Sequence, residues 1–102
     1  MSINGLAGIG NEEFRKITVW LKGTPIAGYP ESVWRHDAFG SVIKYSDYGN
    51  RSSEWGWEID HYPVPVGLGG TDAYSNLRPL HWRNNASHGG LLSNALSSFG
   101  KS

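Results

Sequence analysis

Residues 57–90 read WEIDHYPVPVGLGGTDAYSNLRPLHWRNNASHGG, from Trp57 to Gly90. Asp60 and His61 stand side by side in a strand-like run from Trp55 to His61. Pro63 and Pro65 end that run, Gly67, Gly69 and Gly70 make a flexible loop, and Asp72 reads as the cap of a local turn. Asn76 comes next, and Pro79 suits the first turn of a helix that carries Asn85 and His88 and stops at Gly89-Gly90. An acid, an imidazole and two amides at this spacing are the components of a metal-assisted phosphodiester-cleaving site.

Each position has a distinct chemical capacity. Asp60 offers hard oxygen ligands of the kind Mg²⁺ takes, one or two from protein and the rest from water. His61 follows it on the strand, so the two side chains diverge, one toward a metal and the other toward an attacking water. A free imidazole has a pKa of ~6.5 and can take a proton from water near neutrality, provided an acceptor fixes its other nitrogen. An Asn amide or a backbone carbonyl can do that without adding charge, which makes Asn76 a candidate orienter. Nine positions separate Asn76 from Asn85, ~13.5 Å if the interval were all helix, so the two cannot share a turn and have different jobs. On the expected helix, His81, Asn85 and His88 share one face, and Asn85 becomes a second metal ligand.

Outward from this stretch, 102 residues are enough for one domain with a small core. Five Trp and five Tyr, with few large aliphatics, point to a core built on rings. No cysteine is present, which excludes disulfides and cysteine-ligated zinc and fits a cytoplasmic setting. Nine basic residues balance nine acidic ones, so any grip on nucleic acid must be local. Arg78, Arg83, Lys44 and Arg51 are the candidate phosphate contacts. No apolar run is long enough to span a membrane, and the N-terminus lacks the features of a secretory signal.

Residues 1–10 hold three glycines without periodicity and read as a flexible tail. Asn11–Lys22 reads as a helix ended by Gly23, with Phe14, Ile17 and Leu21 as its apolar stripe and Trp20 beside it in the core. A Pro-containing connector leads to Trp34–Gly40, in which His36 and Asp37 read as structural or surface residues. Ser41–Tyr45 and Trp55–His61 are expected to pair as an antiparallel hairpin across the turn-rich Tyr48–Ser53. Leu91, Leu92, Leu96 and Phe99 suggest a short closing helix. Residues 11–102 are thus expected to form a single α+β domain, with its catalytic core at about 34–90.

Trp57–His88 resembles the HNH endonuclease family, which has the ββα-metal (His-Me finger) fold. The shared pattern is Asp60-His61, Pro63, Gly69-Gly70, Asn76-Leu77, Pro79-Leu80 and Asn85, with Arg35-x-Asp37-x-x-Gly40 resembling the family's upstream segment. The resemblance implies a hairpin-and-helix core, to which the Asn11–Lys22 helix is an N-terminal addition, and DNA, double-stranded, as substrate. It implies one divalent cation held by Asp60 and Asn85, Mg²⁺ in the first place, with Mn²⁺, Zn²⁺ or Ni²⁺ as alternatives. It further implies that His61 activates water, that Asn76 holds His61, and that the products end in 5′-phosphate and 3′-hydroxyl. His88 takes one of three roles, as third ligand, phosphate contact or plain helix-end residue.

One departure is plain. Many relatives carry paired CxxC motifs for a structural zinc, whereas His81 and Asn84 stand at the second pair here. The support is then expected from Trp20, Trp34, Trp55, Trp57 and Trp82. Two other functions compete with the nuclease. One is a non-catalytic nucleic-acid-binding module on the same scaffold, and the other a toxin-type nuclease domain with an immunity partner. Sequence specificity would come from a homodimer or a partner protein.

Overall fold

The computed structural model describes residues 11–87. The N-terminal tail, His88, the Gly89-Gly90 stop and the expected closing helix lie outside the described residues. Helix α1 spans Asn11–Trp20. Strands β1 (Thr24–Pro25), β2 (Trp34–His36) and β3 (Val42–Lys44) form a three-stranded antiparallel sheet in that order. Strands β4 (Trp57–His61) and β5 (Leu77–His81) form a second, two-stranded antiparallel sheet. Residues 82–87 continue directly from β5 as a helix, α2. The described residues are therefore α+β, with helix α1, two antiparallel sheets, and α2 following the second sheet.

Two expectations about the strands need correction. Val42–Lys44 forms its ladder with β2 rather than with the Trp55–His61 run, to which only Lys44 N–H reaches, at the Trp55 carbonyl, because Asp37–Ser41 closes a tight turn first. Gly40 adopts the left-handed region (φ 85°) in that turn, the Asp37 N–H reaches the Ser41 carbonyl, and Gly40 N–H returns to Asp37. Pro79 is in a strand rather than at a helix start. Hydrogen bonds from Tyr62 N–H to the Asn76 carbonyl and from Trp82 N–H to the Gly56 carbonyl fix the alternation of the β4–β5 ladder. Ile59 and Pro79 then fall opposite each other as a non-hydrogen-bonded pair, where proline's missing N–H costs no ladder bond.

The helix α1 is buried differently from its apolar stripe. Val19 and Trp20 are buried, whereas Phe14 and Leu21 are 43% and 57% exposed. Only the last turn of α1 enters the core. The half-buried Lys16 instead lays its ammonium over the Tyr45 and Tyr48 rings, at 5.1 and 5.4 Å from their centroids. The core consists of Val19, Trp20, Ile43, Trp57 and Leu77, with Tyr45, Tyr48 and Ile59 packed against it. Trp57 sits at its centre, edge-on to Tyr48 at 4.8 Å and tilted against Trp20 at 5.2 Å. The Trp20, Trp57 and Trp82 indole N–H groups donate to the carbonyls of Glu31, Tyr45 and Ser53. Of the five tryptophans, then, Trp20 and Trp57 build the core. Trp34 and Trp55 pair edge to face at 5.6 Å, Trp34 on the sheet face opposite Ile43. Trp82 pins the loop before β4.

Arg35 and Asp37, both 4% exposed, are the polar fastenings of this core. Arg35 donates to the carbonyls of Leu21, Gly23 and Glu31 and so ties the end of α1 to β2. Asp37 Oδ1 accepts from the N–H groups of Phe39 and Ser41. Its Oδ2 accepts from His81 N–H and Asn84 Nδ2, and Asn84 also reaches Ser41 Oγ. Asp37 thereby joins the β2–β3 turn to the junction between β5 and α2. His81 and Asn84 thus take part in a hydrogen-bonded knot centred on Asp37.

Candidate functional site

Strand alternation divides β4 into two faces. Glu58 and Asp60 project to one side, across from Leu80 and Arg78 in the register. Trp57, Ile59 and His61 project to the other, the core side, with His61 at its rim.

On the acidic face Asp60 is almost enclosed, and its Oδ2 accepts from Arg78 Nε at 2.8 Å. Glu58 takes a two-pronged contact from Arg51, at 2.6 and 2.8 Å, and a further 2.8 Å hydrogen bond from Asn85 Nδ2. The Arg51 hydrogen bonds, followed by that of Asn85, hold the Glu58 carboxyl below its ordinary range, although partial burial opposes them. Asn85 is thus brought to the acidic face from α2, through Glu58. With Nδ2 spent on Glu58, its amide oxygen is the atom left to ligate.

On the other face His61 Nε2 lies 2.7 Å from Asp72 Oδ1. A carboxylate only accepts, so Nε2 carries the proton and Nδ1 of the neutral ring carries the lone pair. Asp72 is also 3.5 Å from Arg15 of α1. The hydrogen bond from His61, with Arg15 second, holds the Asp72 carboxyl below its ordinary range.

The Asn76 side chain makes no hydrogen bond to the imidazole, so the expected direct hold on His61 is not seen. Its Nδ2 donates to the carbonyls of Val64 (2.8 Å) and Thr71 (3.0 Å), and its Oδ1 accepts from Val64 N–H (2.9 Å). All of the amide's reach is spent inside the loop between β4 and β5. Its bond to the Thr71 carbonyl lies next to Asp72, the residue that His61 contacts. Gly70 makes the same closure sterically possible, since a Cβ there would lie 1.9 Å from the Val64 carbonyl oxygen. Lys22 completes the frame by donating to the carbonyls of Tyr74 and Leu77.

The remaining expected positions scatter. His81 ends β5 rather than facing outward from a helix. Its Nε2 donates to the Glu54 carbonyl at 2.7 Å and its Nδ1 accepts from Arg83 N–H, so it does not share a ligand face with Asn85. Of the four candidate phosphate contacts, Arg51 and Arg78 are ion-paired to the two carboxylates. Arg83 is exposed and lies over Trp82, while Lys44 lies over Trp34.

Glu58 and Asp72 were not among the expected site residues. Strand alternation already puts Glu58 beside Asp60, so that signal was present. Nothing local marks Asp72, because the loop's course brings it to His61.

Among the described residues no three His, Cys, Asp or Glu side chains gather closely enough to cage a metal ion. A Mg²⁺ site needs no such cage, since water fills most of its shell. Asp60, Glu58 and the Asn85 amide oxygen are hard donors of the right kind, presented on one face. Among the described residues no helix is long and apolar enough to cross a membrane. No protein-family model matches the chain, nor does any curated protein or solved structure.

Proposed function

We propose that this chain is a divalent-metal-dependent endonuclease of the HNH type, with β4, β5 and α2 as a ββα-metal core. The observation that carries the reading is the division of labour on β4. Glu58 accepts from Asn85 on one face, and Asp60 stands on the same face two positions along the strand. His61, the next residue, has a carboxylate of its own on the other. Resemblance in sequence pattern supports the same assignment.

In this reading Asp60 and the Asn85 amide oxygen hold one divalent cation, with Glu58 anchoring Asn85. The cation would stabilise charge on the scissile phosphate and on the departing 3′ oxygen. His61 takes the proton of the attacking water on Nδ1, the nitrogen left basic by the Nε2–Asp72 contact. Asp72 fixes the tautomer and steadies the imidazolium that forms, without accepting the proton itself. Asn76 keeps the loop that supplies Asp72.

Plasmid conversion tests this. Supercoiled DNA should be nicked or linearised with Mg²⁺ or Mn²⁺, spared with chelator, and spared by His61→Ala. Conversion that persists in His61→Ala places the base elsewhere. The Arg78–Asp60 pairing favours a second reading, a module that binds nucleic acid without cutting it. In that case the wild type retards DNA in a gel with no cleavage under any metal.

A further inference from the structure

Arg78 occupies an unusual place. It lies directly across the ladder from Asp60, and its guanidinium carbon is 3.8 Å from the Tyr62 ring centroid and 5.5 Å from that of Phe39. Nε is spent on Asp60, yet Nη2 is buried and has no hydrogen-bond acceptor. A buried cationic N–H group without an acceptor is costly, and a fork that uses one prong is set for a second oxygen anion. The chain's own second acid on this face, Glu58, is already taken by Arg51 and Asn85.

We propose that Arg78 is an exchangeable counter-ion: it neutralises Asp60 in the cation-free protein and passes to a phosphate oxygen of the nucleic acid when a divalent cation takes Asp60. This rests on the reading of Asp60 as a metal ligand. Both ions want the same carboxylate, and it is 11% exposed, so water cannot screen one from the other. The cation therefore binds only to the fraction of molecules in which Asp60 is released, which weakens its apparent affinity by that fraction. Release presents the Arg78 fork, whose planar geometry matches a phosphodiester. Cation and phosphate then assist each other, as linkage requires of any shared equilibrium.

Calorimetric titration of Mn²⁺ into the full chain, without DNA, decides it. Arg78→Gln should bind Mn²⁺ about five- to ten-fold more tightly than wild type, because the competitor is gone. The gain should vanish in an Asp60→Asn background, as coupled neighbours require. Unchanged or weaker binding in Arg78→Gln overturns the exchange, as does a gain that survives Asp60→Asn. Should Arg78→Gln fail to fold, Arg78→Lys keeps the charge but loses the fork and should tighten binding by a smaller factor. Unchanged affinity there also overturns the proposal. If neither wild type nor any variant takes up Mn²⁺, the metal reading of Asp60 itself has failed. If wild type binds and Arg78→Gln does not differ, that reading stands and only the exchange is lost.

Discussion

Nε2 of His61 lies 2.7 Å from Oδ1 of Asp72, a contact between the end of β4 and a loop residue eleven positions later. The imidazole side is mostly enclosed, 18% exposed, while Asp72 is 71% exposed. An exposed carboxylate is a weak contributor to stability but sufficient to select a tautomer. Arg15, 3.5 Å from the same carboxylate oxygen, holds it from α1. The N-terminal helix therefore takes part in setting the imidazole's orientation.

Asp72→Ala should lower turnover on plasmid by about ten- to a hundred-fold, the scale of losing a partner that orients a catalytic group. Asp72→Asn should fare little better, since its amide can donate to Nε2 and reverse the tautomer. Metal affinity should not change in either. Single-turnover cleavage beside a Mn²⁺ titration checks both, and full activity in Asp72→Ala removes Asp72 from the proposed mechanism.

The two asparagines separate by what they disturb. Asn76→Ala removes a buried amide that holds Val64 N–H and the Val64 and Thr71 carbonyls of an otherwise exposed loop, a loss of about 1–3 kcal/mol. It should reduce turnover through Asp72 and leave Mn²⁺ binding nearly intact. Asn85→Ala should weaken Mn²⁺ binding with a smaller effect on the denaturant midpoint. Urea unfolding and calorimetry on the two variants should therefore rank them in opposite orders.

Local chemistry carries some of this architecture and chain topology the rest. The strand carrying Asp60 and His61 and the turn-rich loop after it were legible because strand alternation and turn residues act over a few positions. The strand partners were not. Pro79 looks like a helix start until Ile59 stands opposite it in a non-hydrogen-bonded pair, and that register is a non-local fact. The α1 stripe failed for a similar reason, since periodicity shows which residues share a face but not how much of the helix is covered. Asp37 reads from sequence only as structural or surface, without a choice between them, because its four partners come from residues 39, 41, 81 and 84. Two of them lie more than forty positions away.

The knot around Asp37 predicts a fold that needs no structural metal. Chelator should leave the far-UV circular dichroism and the thermal midpoint of wild type unchanged. Asp37→Ala should cost about 3–5 kcal/mol, as expected when one member of a buried charged network is removed. Loss of the spectrum on adding chelator would reveal a metal that the knot does not replace.

Acid should loosen the protein through Glu58 first. Its carboxyl sits below the ordinary range because Arg51 and then Asn85 bond to the charged form, and Asp72 is lowered likewise by His61 and Arg15. A depressed carboxylate binds fewer protons folded than unfolded, so stability rises with pH across the interval between the two states. The contribution is complete above the ordinary carboxylate range and is lost as pH falls through that range and below it. Glu58, at 20% side-chain exposure, should dominate over the exposed Asp72. Urea midpoints measured from pH 7 down to pH 3 should therefore fall more steeply for wild type than for Glu58→Gln, whose side chain does not titrate. High salt should flatten the wild-type slope in part, because Arg51 is 56% exposed. Equal slopes for the two proteins would transfer the acid sensitivity to another carboxylate and leave the Arg51–Glu58–Asn85 contact without weight in the fold.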